Sequence, residues 1–132
     1  MKAVTRLDQE RSRYALNTIK KRAADPKAHE YGQYIRKLPT MILMNGYGQA
    51  MAFLSGKGKD QILEDVAKWL LDRLPTKSST NVATGERLLE EIFSHWDTRD
   101  YRRAEQETLR LLTWMKLFAD AFLPEAEVAR HE

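Results

Sequence analysis

The side chains here that could move protons, attack a substrate or hold a metal are few and scattered. Histidines stand at His29, His95 and His131, and none has a second histidine at the three- or four-residue spacing that puts two imidazoles on one helix face. Cysteine is absent, which removes disulfides, thiol nucleophiles and cysteine-based zinc or iron–sulfur sites. Paired carboxylates occur at Glu64-Asp65 and Glu90-Glu91, but consecutive helical residues point about 100° apart and do not converge as acid and base. The Gly56-Lys57-Gly58-Lys59 run lacks the G-x-x-x-x-G-K-[ST] order of a phosphate loop, because Asp60 follows it. The residues therefore predict no enzyme, no metal and no cofactor.

Binding chemistry is better represented. Arg6, Arg13 and Lys20 recur every seven residues, so on a helix they form a stripe with about 10 Å between members, which a phosphate backbone can follow. Lys21 and Arg22 thicken its C-terminal end, where cations also complement the helix dipole. Arg99, Arg103 and Arg110 make a shorter stripe, broken by Glu105 and Glu107, that ion pairing on a wet surface explains better. Residues 1–60 hold twelve Lys/Arg against five Asp/Glu, a balance of +7, and residues 61–132 hold ten against fourteen, a balance of −4; together they make the net +3. Such an asymmetry suits a polyanion on one side and head-to-tail stacking of copies, although solvated helix faces of unequal charge produce it equally well.

The elements that must carry these residues read as helices throughout. Thr5 to about Ala23 has Leu7, Tyr14, Ala15 and Ile19 on one side and ends at Asp25-Pro26. A second helix starts near Ala28 and is kinked or restarted at Pro39, and Asn45-Gly46 breaks the chain before a third, Gly48 to Leu54. Asp60 is the expected cap of a fourth, running through Arg73 to Pro75. Residues 75–85 are the one linker-like stretch. A fifth helix opens at Thr84 or Gly85 and runs through Trp96; a sixth, capped by Asp97 or Thr98, runs to Pro124. No strand alternation is visible. The expected fold is all-α, a compact single-domain bundle of about six helices over residues 1–132, with no repeat.

Met1 is followed by charged residues with no apolar run, which predicts no signal peptide and a cytoplasmic protein. The uncharged stretch Leu38 to Gly56 contains Pro39, Asn45, Gly46 and Gly48, so it reads as core, with Met41, Ile42, Leu43 and Met44 buried on several faces, and no membrane span is expected. Of the twelve aromatic residues most fall on the apolar stripes, where core packing is the expected role. Trp114 departs from the main stripe of its helix, and either completes a wide core face or marks an interface.

Leu38-Pro39-Thr40-Met41-Ile42, followed by Asn45-Gly46-Tyr47-Gly48-Gln49-Ala50-Met51-Ala52-Phe53, resembles the signature of the small helical subunit of the type III-B CRISPR effector, the Cmr complex. Arg13-Tyr14-Ala15, Tyr101-Arg102 before Ala104, Glu107-x-Leu109 and Trp114-Met115-Lys116-x-Phe118-Ala119 resemble the same family in the same order. Tyr47 departs from it, standing where an aliphatic residue is expected. The resemblance implies a non-catalytic subunit in antiviral defence, stacked in multiple copies beside the backbone subunits that hold the guide RNA, and touching target RNA through its backbone while base pairing reads sequence. Its partners would be other Cmr subunits, further copies of itself and the guide RNA–target RNA duplex. RNA-contact candidates are Arg6, Arg13, Lys20, Lys21 and Lys116; Tyr47 and Trp114 are candidates for a subunit interface. The alternative from another class is a stand-alone helical nucleic-acid-binding regulator, though neither Gly48–Leu54, too apolar, nor the start of the last helix, mixed in charge, makes a good recognition helix.

Overall fold

The computed structural model describes residues 5–56, 59–77 and 84–124. Six α-helices follow in order: α1 Arg6–Ala23, α2 Ala28–Asn45, α3 Tyr47–Leu54, α4 Asp60–Leu70, α5 Thr84–Glu90 and α6 Thr98–Phe122, with a π-helical turn Glu91–His95 between α5 and α6. No strand occurs among the described residues, so the all-α expectation holds. Lys57 and Gly58 of the glycine–lysine run and most of the linker-like stretch lie outside the described residues. The chain divides into two units, residues 1–37 with 110–132, and residues 38–109.

In the first unit, Thr5 starts α1 because its Oγ1 accepts the Asp8 N–H at 3.1 Å, and Lys20, Lys21 and Arg22 occupy the last turn, where cations offset the carbonyl end of the dipole. Asp25 folds the connection by accepting the Lys27 N–H at 2.8 Å. The α1 core stripe is Arg11, Ala15, Thr18 and Ile19, and Tyr31 and Ile35 of α2 and Leu111, Leu112, Met115 and Ala119 of α6 are buried as well. Trp114 meets Asp8 and Phe122 meets Lys20, so α1 and the C-terminal half of α6 run in the same direction. Arg36 ties α2 to α6 with its Nε 2.8 Å from Asp120 Oδ1 and its Nη2 3.1 Å from the Ala119 carbonyl.

In the second unit, Pro39 is carried inside α2 without ending it. Gly46 then separates α2 from α3 with φ 98° and ψ 151°, a conformation only glycine adopts cheaply. Tyr47 lies at the centre of this unit, with none of its surface exposed, its hydroxyl 2.9 Å from Thr108 Oγ1 and its ring edge-on to Tyr101 at 5.6 Å. Gly85 lets α5 approach α4: a Cβ there would stand 2.8 Å from Glu64 Oε2 and 3.2 Å from Leu63, and its N–H donates to that Glu64 oxygen at 2.7 Å.

Several boundaries differ from the sequence expectations. Asp60 is the first residue of α4 rather than its cap; Lys59 holds the cap position and makes no side-chain cap bond. That helix stops at Leu70, and Arg73 folds back so that its Nη1 donates to the Trp69 carbonyl at 2.9 Å with the guanidinium 3.3 Å from the Trp69 ring centre, replacing the next helical turn. The fifth helix does not continue α-helically to Trp96: the Trp96 N–H reaches back five residues to the Glu91 carbonyl at 2.7 Å, and its indole is held by the Pro75 carbonyl at 2.7 Å. Asp97 caps α6 as expected, its Oδ1 accepting the Asp100 N–H at 2.9 Å. Leu43 and Met44 are not buried; they are 72% and 78% exposed, while Leu38, Ile42, Met51 and Leu54 form the core of the segment. The aromatics too are less buried than expected: Tyr31, Tyr47 and Trp69 are interior, but Phe53, Phe93 and Phe122 are exposed and the rest are half-buried, because many sit at helix margins beside a cation or a hydrogen-bond acceptor.

Candidate nucleic-acid interface

The basic stripe of α1 survives folding as a surface feature. Arg6, Arg13 and Lys20 are all exposed and point about 180° from the helix's buried stripe, spanning about 21 Å along the axis. Between them on that face lie Gln9 and Asn17, also exposed, whose amides donate and accept without adding charge. Glu10 borders the stripe and stands 3.8 Å from Arg6, but the Arg6 side chain is 92% exposed, and an ion pair so solvated holds it weakly.

Arg11 is the cation of α1 that the fold withdraws. Its side chain is 5% exposed and its Nη1 lies 2.5 Å from Asp8 Oδ1, and the same oxygen accepts the Trp114 indole N–H at 3.1 Å. That indole bond, with Arg11 and Arg110 nearby, holds the Asp8 carboxyl below its ordinary value of 3.8 despite partial burial. Asp8 therefore stays charged, neutralises Arg11 and fixes the flank of α1 against α6.

The other RNA-contact candidates do not all join the stripe. Lys21 is exposed but lies about 100° around α1 from Lys20. Lys116 is exposed on α6, yet helical geometry puts it about 160° from Trp114, on the flank that carries Asp120 and Arg36's ion pair, away from the side that meets α1. Arg110, grouped from sequence with Arg99 and Arg103 as surface ion pairing, stands near the α1 side instead. It is exposed, stands on the Trp114 flank of α6 and acts on Asp8; its position four residues before Trp114 was the available signal.

The two interface candidates separate. Tyr47 is enclosed in the core with its hydroxyl satisfied, so it cannot present a surface to another subunit. Trp114 is half-buried, its N–H tied to Asp8 and its ring stacked on Phe118 with centroids 5.9 Å apart. The Leu38–Phe53 segment, read from sequence chiefly as core with an exposed remainder open to a subunit contact, leaves Leu43, Met44 and Phe53 exposed, with Phe93 of the same unit, and Met41, Asn45, Gln49, Ala50 and Phe53 line a hollow there.

Among the described residues, no three His, Asp or Glu side chains converge on a common point, and no helix is long and apolar enough to cross a membrane. His131 lies outside the described residues.

The family profile described as CRISPR-associated protein (Cas_Cmr5) matches residues 7–122. A Thermotoga maritima protein named CRISPR system Cmr subunit Cmr5 is 27% identical over 117 residues, covering 89% of this chain and 84% of that protein. The crystal structure of a CRISPR-associated Cmr5 family protein from Thermus thermophilus shares the fold, with a TM-score of 0.75 at 24% identity over 91% of this chain and 99% of the other.

Proposed function

The chain belongs to the CRISPR-associated Cas_Cmr5 family and is thus a subunit of a Cmr complex, with other Cmr components as its partners; on that footing we propose that it is a non-catalytic tile that turns α1 toward target RNA. Copies stack along the guide-bearing backbone subunits in the cytoplasm, and each adds a few phosphate contacts to the groove in which guide and target pair. One observation carries this reading: Arg6, Arg13 and Lys20 stand exposed on a single face of α1, with Gln9 and Asn17 between them. Three phosphate contacts per copy are weak alone, and repetition along one strand raises their effective concentration.

The exposed Leu43 and Met44, with Phe53 in the same unit, supply the apolar surface that neighbouring protein would cover. Replacing Arg6, Arg13 and Lys20 together by Glu in the assembled complex tests the RNA-facing role. Target-RNA affinity should fall and its logarithmic dependence on salt should flatten, by a slope of roughly 2 for three lost contacts to a single strand. Unchanged affinity and salt dependence would assign RNA contact to another surface.

A further inference from the structure

Beside the cation stripe, the first unit carries a line of aromatic rings that phosphate contacts do not require. Trp114, Phe118 and Phe122 follow one another at four-residue steps along α6. The first two stack, with centroids 5.9 Å apart and planes inclined by 21°. Phe122 is 45% exposed, and the Lys20 ammonium stands 5.6 Å from its ring centre. Because Asp8 meets Trp114 and Lys20 meets Phe122, α1 lies alongside this line in the same direction. Between the stripe and the rings α1 presents Gln9, Ser12 and half-buried Leu16, none of them charged, and the carboxylate beside Trp114, Asp8, is neutralised by Arg11 and bonded to the indole N–H. Arg110 stands on the far side, on α6.

Cations alone suffice to hold a duplex, whose bases are stacked on each other and show no faces. Rings add affinity only where a base is unpaired and offers its face, and that contact is indifferent to base identity. The Trp114 ring is fixed in orientation by its bond to Asp8, and Phe122 is steadied by Lys20, so neither must be ordered when a base arrives. We infer that the α1–α6 surface receives a single-stranded stretch of RNA: Arg6, Arg13 and Lys20 hold its backbone, and Phe122, continued by the Trp114–Phe118 pair, stacks an unpaired base. This rests on the RNA-facing role proposed above and names the kind of strand that role would serve.

The test uses the full chain at low salt and measures fluorescence anisotropy with three RNA probes of equal length: a single strand, the same strand with abasic residues, and a duplex. The abasic strand keeps every phosphate, so its difference from the intact strand isolates stacking. The intact strand should bind roughly tenfold more tightly than the abasic one. Phe122→Ala should erase that difference, and Phe122→Trp should keep it. Equal affinity for intact and abasic strands, or preference for duplex, would overturn the inference and leave the RNA-facing role standing. Absence of salt-dependent binding to any of the three would overturn both.

Discussion

The Trp114 indole N–H donates to Asp8 Oδ1 at 3.1 Å, the same oxygen that Arg11 approaches at 2.5 Å, so one carboxylate both neutralises a buried cation and locks an aromatic ring of α6 to α1. Asp8→Ala removes both bonds and should cost about 1–3 kcal/mol in urea unfolding at pH 7. Asp8→Asn keeps one acceptor and should cost less. An Ala variant as stable as the parent would show that Arg11 does not depend on this carboxylate.

The pH dependence of that contribution has a defined sign. The Asp8 carboxyl is held below 3.8 in the folded chain, so through that window the unfolded state binds more protons and stability rises with pH. The contribution is complete above about pH 5 and is lost as pH falls through the folded value. Asp97 is lowered too, by the Asp100 N–H, so the parent must be compared with Asp8→Asn rather than followed alone. The stability gap between the two should be constant from about pH 7 to 5 and narrow below about 4; a gap that is flat to about pH 2.5 would refute the assignment.

Tyr47 and Thr108 exchange a buried hydroxyl–hydroxyl bond of 2.9 Å. Tyr47→Phe leaves the Thr108 hydroxyl without that partner in a fully enclosed place, and Thr108→Val does the same to Tyr47, each at about 1–2 kcal/mol. The double variant removes both polar groups and should cost less than the sum of the two. Strict additivity in denaturant unfolding would mean that the two hydroxyls are not coupled.

Gly46 holds φ 98° with nothing within 4 Å of where a Cβ would stand. The penalty of Gly46→Ala is then purely conformational, about 1–3 kcal/mol, with no clash to relieve. Gly85→Ala fails for the opposite reason, since its Cβ would stand 2.8 Å from Glu64; the companion change Glu64→Ala should recover part of the loss at position 85 and none at position 46. Recovery at both positions, or neither, would contradict this division.

The helices were legible because their stripes and stops are local. Thr5, Pro26, Asn45-Gly46 and Asp97 each act on residues within one turn, and the start and end of α1, the end of α2 and the starts of α3 and α6 all fall close beside them. The stripe Arg6–Arg13–Lys20 was legible for the same reason, since seven-residue spacing fixes a face before any tertiary contact forms. What depended on packing was not legible. Tyr47 sits in an uncharged segment where four apolar residues, Met41 to Met44, run consecutively; α2 keeps Leu38 and Ile42 on its buried face and leaves Leu43 and Met44 outside, and the turn at Gly46 then sends Tyr47 inward. Arg11 is spaced no differently from its neighbours, and its withdrawal from solvent depends on Asp8. Lys116 carries the right charge and a position inside a matching motif, but its flank of α6 is set by where α1 and α2 pack.

That outward turn of Leu43 and Met44 leads to the last prediction. The two side chains are 72% and 78% exposed at the end of α2, and leaving adjacent large apolar residues in water forgoes about 25 cal/mol for each Å² that burial would cover. If neighbouring protein covers them in the assembly, Leu43→Asp with Met44→Asp should leave the isolated chain nearly as stable as the parent, within about 0.5 kcal/mol per substitution, because neither side chain supports the core. Incorporation into the Cmr complex should drop at least about tenfold, the loss expected from about 1.4 kcal/mol of forfeited burial. The control is Thr40→Asp, exposed on the same helix one turn earlier, which should assemble normally. Normal incorporation of the double variant, measured by co-purification with the other subunits, would exclude this surface from the interface.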